Sequence, residues 1–256
     1  MIIPRVMPCL LLKDGQLVKT IKFSHPAYVG DPVNAVKIYN DKEVDELIFL
    51  DITATAENRR PDFEIIGQIA SECFMPCAYG GGIREIEDIR KIFGLGIEKV
   101  AINSYAVENP GFIKEAASLF GSQSIMVSID AKKNLFGKYE VYSRVAGKIP
   151  KIDPVKFAVK MAELGAGEIL LNSVDRDGTM QGYDLDLVKQ VSGAVDIPVI
   201  ACGGAGKIED FRDAIKIGGA WAVAIGSMAV FMDKNRAVLI NFPSRGEIDK
   251  VLAEKI

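Results

Sequence analysis

The chain has 256 residues, 49% hydrophobic and 25% charged, with 24 glycines and 11 prolines. That composition supports a large buried core and excludes disordered, collagen-like and coiled-coil architectures. With 31 basic and 34 acidic side chains the net charge is −3 and the pI about 5.4; no global basic field exists to hold nucleic acid or an anionic membrane, so any anionic ligand must be bound locally.

The first run, MIIPRVMPCLLLKDG, is apolar but has neither a basic leader nor a small-residue cleavage pattern, and reads as the first strand of a cytoplasmic protein. Apolar, β-rich runs recur at 6–12, 45–52, 76–79, 98–103, 125–130, 167–174, 197–201 and 220–225. Helical periodicity places helices near 32–42, 61–73, 85–95, 109–120, 154–164, 184–192, 207–217 and 234–241. Eight strands alternating with eight helices imply an α/β fold of the closed (β/α)8 TIM-barrel type, one domain over 1–256; a doubly wound open sheet is the competing layout. No run approaches the ~18 uninterrupted apolar residues of a membrane span.

An internal repeat favours the barrel, with half-barrels at about 1–123 and 124–256. The run from Glu46, ELIFLDI, recurs from Glu168 as EILLNSV; PCAYGGGI from Pro76 recurs as PVIACGGA from Pro198; AINS from Ala101 recurs as AIGS from Ala224. Insertions at 13–31 and 131–152 follow the C-terminal ends of strands, where barrels carry their active sites, and are candidate lids. Lys13, Lys19 and Lys22 in the first, and Lys132, Lys133, Lys138, Arg144 and Lys148 in the second, make them basic. Plain surface decoration is the alternative.

The single histidine, His25, rules out a multi-His metal centre. Cys9, Cys73, Cys77 and Cys202 lack paired zinc spacing and read as reduced thiols. No metal and no cofactor is expected. Glycine turns do point to a ligand: Gly80-Gly81-Gly82 and Gly203-Gly204-Ala205-Gly206 each precede a helix, and consecutive glycines let backbone amides approach an anion. Asn103-Ser104 and Gly226-Ser227 follow strands 4 and 8 at repeat-related positions. Together these loops suggest two phosphate sites facing each other across one barrel mouth, hence a small-molecule substrate phosphorylated at both ends.

Asp51, Asp130, Asp175 and Asp177 fall at strand ends, where acid/base groups belong, although any one could simply cap a loop. Asp130 closes the apolar run from Ile125 and is the favoured chemical residue. In the repeat Leu11 stands where the second half has Asp130, so a paired-carboxylate mechanism would lack one partner. At the opposite ends of the strands, Arg5, Glu46, Lys99 and Glu168 could form a neutral ring across the barrel bottom, or be ordinary solvated charges.

The blocks PCLLLKDG, FLDITA, YGGGI, INSYAVENP, GSQSIMVSIDAKK, GAGEILLNSVDRDGTMQGYD and ACGGAGK together resemble the cyclase-subunit family of imidazole glycerol phosphate synthase, over residues 2–230. The resemblance implies a barrel that takes ammonia from a class I glutaminase docked on its N-terminal face and passes it to a bisphosphorylated ribulosyl substrate at the top. It makes Arg5, Glu46, Lys99 and Glu168 an ammonia gate. It gives one phosphate to Gly82, Asn103 and Ser104, the other to Gly178, with neighbouring Asp177, and to Gly204, Gly226 and Ser227, and it puts Lys19 on the first lid as a catalytic residue. Asp130 becomes the second catalytic carboxylate, Leu11 replaces the first, and Asn172 and Cys202 replace the usual Thr and Ser. PCLLLKDG-x-LVKT also looks like a divergent branch that works with a sugar-amidating enzyme in making acetamidino sugars of surface polysaccharides. Three roles stand open: ammonia handling for amidation, the histidine-pathway cyclase/lyase itself, and noncatalytic activation of a glutaminase.

Overall fold

The computed structural model describes residues 4–143, 151–232 and 236–254. Eight parallel strands pair in sequence: β1 (Arg5–Lys13), β2 (Leu47–Asp51), β3 (Cys77–Gly80), β4 (Lys99–Ile102), β5 (Ile125–Lys133), β6 (Glu168–Ser173), β7 (Val199–Cys202) and β8 (Ala222–Ile225). β8 pairs back onto β1, from Arg5 opposite Ala222 to Pro8 opposite Ile225. The sheet is therefore the closed TIM barrel and not the open doubly wound alternative. Between and after the strands run α1 (Pro32–Asp41), α2 (Phe63–Glu72), α3 (Ile86–Gly94), α4 (Gly111–Phe120), α5 (Pro154–Glu163), α6 (Leu185–Ser192), α7 (Glu209–Lys216) and α8 (Arg245–Ala253), with a short helix, Ser104–Glu108, before α4.

Strands alternate their side chains between two buried faces, which is why they read as nearly continuous apolar runs. Leu10, Phe49, Tyr79, Val127 and Leu171 point outward into the core beneath the helices. Met7, Ile48, Met126, Leu170 and Ile200, with Ala78, Ala101, Ala222 and Ala224, fill the barrel interior. Asp31, Asp62, Asp153 and Asp184 start helices by accepting from backbone N–H groups of the first turn, which have no intrahelical partner.

The strand register carries the sequence repeat into space. Leu11 lies opposite Leu50 and Leu50 opposite Gly80 in the first half; Asp130 lies opposite Asn172 and Asn172 opposite Cys202 in the second. Asn103 (φ −111°, ψ −94°) and Gly226 (φ −106°, ψ −89°) share one unusual backbone conformation at matching positions.

Both insertions extend the sheet. The first is an antiparallel hairpin, Gln16–Ile21 against Ser24–Gly30, folded back on the end of β1. In the second, Tyr139–Val141 pairs antiparallel with the end of β5. Arg144 and Lys148 lie outside the described residues.

The helix expected at 234–241 is a correction. Ala237–Val238 instead pair antiparallel with Phe231–Met232, and the last helix is α8. Pro243 disfavours helix in the residue before it. Ser244 and Glu247 form a reciprocal capping box that starts the helix anew. On the bottom face, where strands begin and helices end, Phe74, Leu119 and Trp221 are exposed. No helix among the described residues is long and apolar enough to cross a membrane.

The cap makes the placement of α8 testable. Ser244→Ala should destabilise the protein by about 0.5–2 kcal/mol, the usual cost of losing an N-cap, read as a lower denaturant midpoint at unchanged slope.

Candidate active site

At the C-terminal ends of the strands lies a cleft of about 220 Å³ lined by residues from both halves, among them Leu11, Gly82, Ser104, Asp130, Gly178, Gly204 and Ser227. Asp130 stands at its centre. Its two oxygens accept from Asn172 Nδ2 at 3.0 Å and from Asn103 Nδ2 at 2.9 Å, and Asn103 also reaches Ser128 Oγ at 3.3 Å. Burial pushes the Asp130 carboxyl up to about 6, against the pull of the two amide hydrogen bonds. The matching positions of the first half, Leu11 and Leu50, are hydrocarbon. Asp130 thus sits in a hydrogen-bonded polar network with its carboxyl raised by burial, whereas the equivalent places, Leu11 and Leu50, carry hydrocarbon.

The first hairpin is folded down over this mouth. Asp177 accepts from Thr20 Oγ1 at 2.9 Å and from the Phe23 N–H at 3.2 Å, and the Lys22 N–H donates to the Asp177 carbonyl at 3.0 Å. Lys19 is consequently enclosed, its ammonium donating to the carbonyl of Cys9 at the floor of the cleft. Burial lowers its pKa. Beneath it, a hydrogen bond with Cys9, together with burial, raises the Cys202 thiol well above its ordinary value. The Phe23 and Tyr142 rings meet edge-on at 5.9 Å, joining the two insertions above the cleft.

The glycine turns adopt the backbone their residues permit. Gly81 has φ +122°, and a Cβ there would lie 2.5 Å from the Asp51 carbonyl oxygen; at Gly204 (φ +114°) a Cβ would strike the Gly182 carbonyl. The other carboxylates are loop ties: Asp51 accepts from the N–H groups of Thr53 and Ala54, and Asp175 from the N–H of Lys133. Asp177, grouped by sequence with the phosphate residues, spends its oxygens on the hairpin. Asn103 likewise turns its side chain inward to Asp130, leaving Ser104 and Gly82 toward the cleft.

At the barrel's other end the four charged residues meet. Arg5 donates to Glu46 at 2.6 Å and to Glu168 at 2.5 Å, and Lys99 reaches Glu46 at 3.0 Å and Glu168 at 3.1 Å. Each cation bridges both anions, so the ring is electrically closed. Burial raises the Glu46 carboxyl while Lys99 and Arg5 oppose that rise.

This geometry of ring, barrel and two-sided mouth agrees with a match to the family model for histidine biosynthesis proteins over residues 5–234. The chain belongs to that family. Among its relatives is a Pseudomonas aeruginosa protein provisionally described as imidazole glycerol phosphate synthase subunit hisF2, 51% identical over 96% of this chain and 98% of the relative. A Leptospira interrogans protein provisionally described as subunit HisF of the same synthase is 46% identical over 96% of this chain and 97% of its own length. An Alkaliphilus metalliredigens protein named imidazole glycerol phosphate synthase subunit HisF is 46% identical over 89% of this chain and 90% of its own.

Within this HisF-like barrel, three polar residues escaped the sequence reading. Ser128 is legible in retrospect, two residues before Asp130 and so on the same strand face. Thr20 could not be found, because its partner lies 157 positions away. Arg236 carries no motif, yet it donates to the Gly178 carbonyl at 3.1 Å and to Ser227 Oγ at 3.2 Å.

The Asp130 network sets a sign for titration. Its folded pKa lies above the ordinary carboxylate value, so folding disfavours its ionised form, and the stability associated with it is lost as pH rises through about 6. Asn172→Ala removes a hydrogen bond to the carboxylate and should move the titration of the Asp130 carboxyl carbon, followed by carbon NMR, further upward; a downward move would contradict the network.

Proposed function

We propose that the chain accepts ammonia from a glutaminase partner on its N-terminal face and delivers it through the barrel to the mouth, in the service of amidating a sugar precursor of surface polysaccharide. The observation that carries this reading is Leu11, which stands opposite Leu50 as Asp130 stands opposite Asn172 but cannot move a proton. Cyclisation by a carboxylate pair needs an acid and a base, and in this mouth the place equivalent to Asp130 is held by Leu11, while Asp51 and Asp177 accept from loop N–H and hydroxyl groups.

The route itself follows from physical chemistry. Neutral ammonia crosses an apolar interior far more readily than ammonium, whose desolvation is costly. Above the ring the interior is uncharged, with Ala78, Ala101, Ala222 and Ala224 among the larger Met7, Ile48, Met126, Leu170 and Ile200 that ammonia would have to pass. Entry requires the ring to open, and because each cation holds two anions, one swing of Lys99 leaves Arg5 bridging both glutamates. Phe74 and Trp221, exposed around this entrance, offer apolar surface to a docked partner. The glycine turns with Ser104 and Ser227 would hold a phosphorylated small molecule at the exit.

A second reading, the cyclase/lyase of histidine biosynthesis, is supported by the names of the relatives and by the intact Asp130 network. Supplying ammonium salts and the bisphosphorylated ribulosyl-formimino aminoimidazole carboxamide separates the two. Wild-type turnover should be slow, and Leu11→Asp should raise it toward the ~10²–10⁴-fold that a general acid/base contributes. Wild-type turnover at the level of an ordinary cyclase, unimproved by Leu11→Asp, would establish the second reading and remove the first.

A further inference from the structure

The end of the cleft formed by Gly178, Gly204 and Ser227 presents an electrostatic imbalance. Backbone N–H groups and a hydroxyl carry no formal charge, and Asp177, adjacent to Gly178, is an anion that would repel a phosphate. Lys19 approaches nearby Gly226 and gives one of its three donors to the Cys9 carbonyl, a single ammonium against a dianion. A dianion bound here needs a further cation aimed at it; of the loop cations, Arg176 donates to the Gln181 carbonyl and Lys207 is exposed.

We propose that Arg236 is that cation, the charged anchor that grips a phosphate monoester at this end of the cleft. The inference rests on the phosphate reading of the mouth and goes beyond it by assigning the charge to a residue outside the glycine loops. Its guanidinium bridges two elements of the site, donating to the Gly178 carbonyl at 3.1 Å and to Ser227 Oγ at 3.2 Å. A guanidinium has five N–H donors in a planar fork suited to phosphate oxygens, so these two bonds leave donors for a ligand. Since Ser227 Oγ accepts from Arg236, its own O–H is directed elsewhere and can donate to the same ligand. The side chain is also held in advance: its guanidinium carbon stands 4.5 Å from the centre of the Phe231 ring, so little freedom is lost on binding. Burial raises the Asp177 carboxyl, and the Thr20 and Phe23 hydrogen bonds, then Lys19 and Arg236, oppose that rise.

The test is a titration of inorganic phosphate into the nitrogen-15-labelled full chain, following amide resonances at each end of the cleft. In the wild type, Gly178, Gly204 and Ser227 should titrate as one set and Gly82 and Ser104 as another. Arg236→Met should weaken the first set by roughly tenfold or more, the scale of one charge-assisted hydrogen bond, and leave the second unchanged. Arg236→Lys, which keeps the charge and loses the fork, should fall between, and it serves in place of Arg236→Met if that variant does not fold. A merely structural arginine would not give an effect confined to one end and graded by charge. Wild-type affinity at Gly178 and Ser227 in both variants would overturn the assignment of Arg236 while sparing the phosphate reading. Failure of the wild type to titrate at either end would overturn the phosphate reading and the anchor with it.

Discussion

Pairing of β8 onto β1 is the constraint on which the rest of the molecule depends. Strand side chains alternate with period two, so a slip of one residue at the closing seam would exchange interior for exterior around the whole barrel. With Arg5 opposite Ala222 and Pro8 opposite Ile225, the four charged residues fall in one layer at the bottom. The alanines and large aliphatics fall above them, and Asp130 comes level with Asn172 at the top. Closure also leaves the barrel no free edge strand, so the hydrogen bonds of the hairpins on β1 and β5 extend the sheet upward only at the mouth.

Much of this was legible in the sequence. The barrel strands show as apolar runs because helices cover one face and the interior the other, and the helices between them show as helical periodicity. The repeat located Leu11 against Asp130, and the strand register places them in equivalent positions. The charged ring was legible as residues and not as contacts, since spacing alone cannot say that Arg5 will bridge two glutamates 122 positions apart. The C-terminal segment misled: its periodicity over 234–241 resembles a helix, but the Ser244 capping box, a stronger local signal, lies just beyond it.

What escaped were long-range polar contacts. Thr20, Phe23 and Asp177 bring the first hairpin down and bury Lys19, a result that depends on two loops meeting above the barrel. Asn103 could serve a ligand by its position, yet its amide is drawn to the Asp130 carboxylate. In both cases an interior charge selects its neighbours, and local pattern carries no information about which charge that will be. The two halves of the mouth have thereby diverged within one backbone: Asn103 and Gly226 keep the same conformation while the side chains around them differ in polarity.

The bottom face has a consequence for how the molecule can be watched. Trp221 is the chain's one tryptophan, and it sits half exposed immediately before β8, beside the entrance ring. Gly226, at the mouth, lies five residues along the same strand direction, roughly 16 Å away at ~3.3 Å per residue. Intrinsic indole fluorescence is therefore a built-in optical probe of one end of the barrel: a macromolecule covering the entrance changes the solvation of the fluorophore directly, whereas a ligand entering the mouth touches no indole at all.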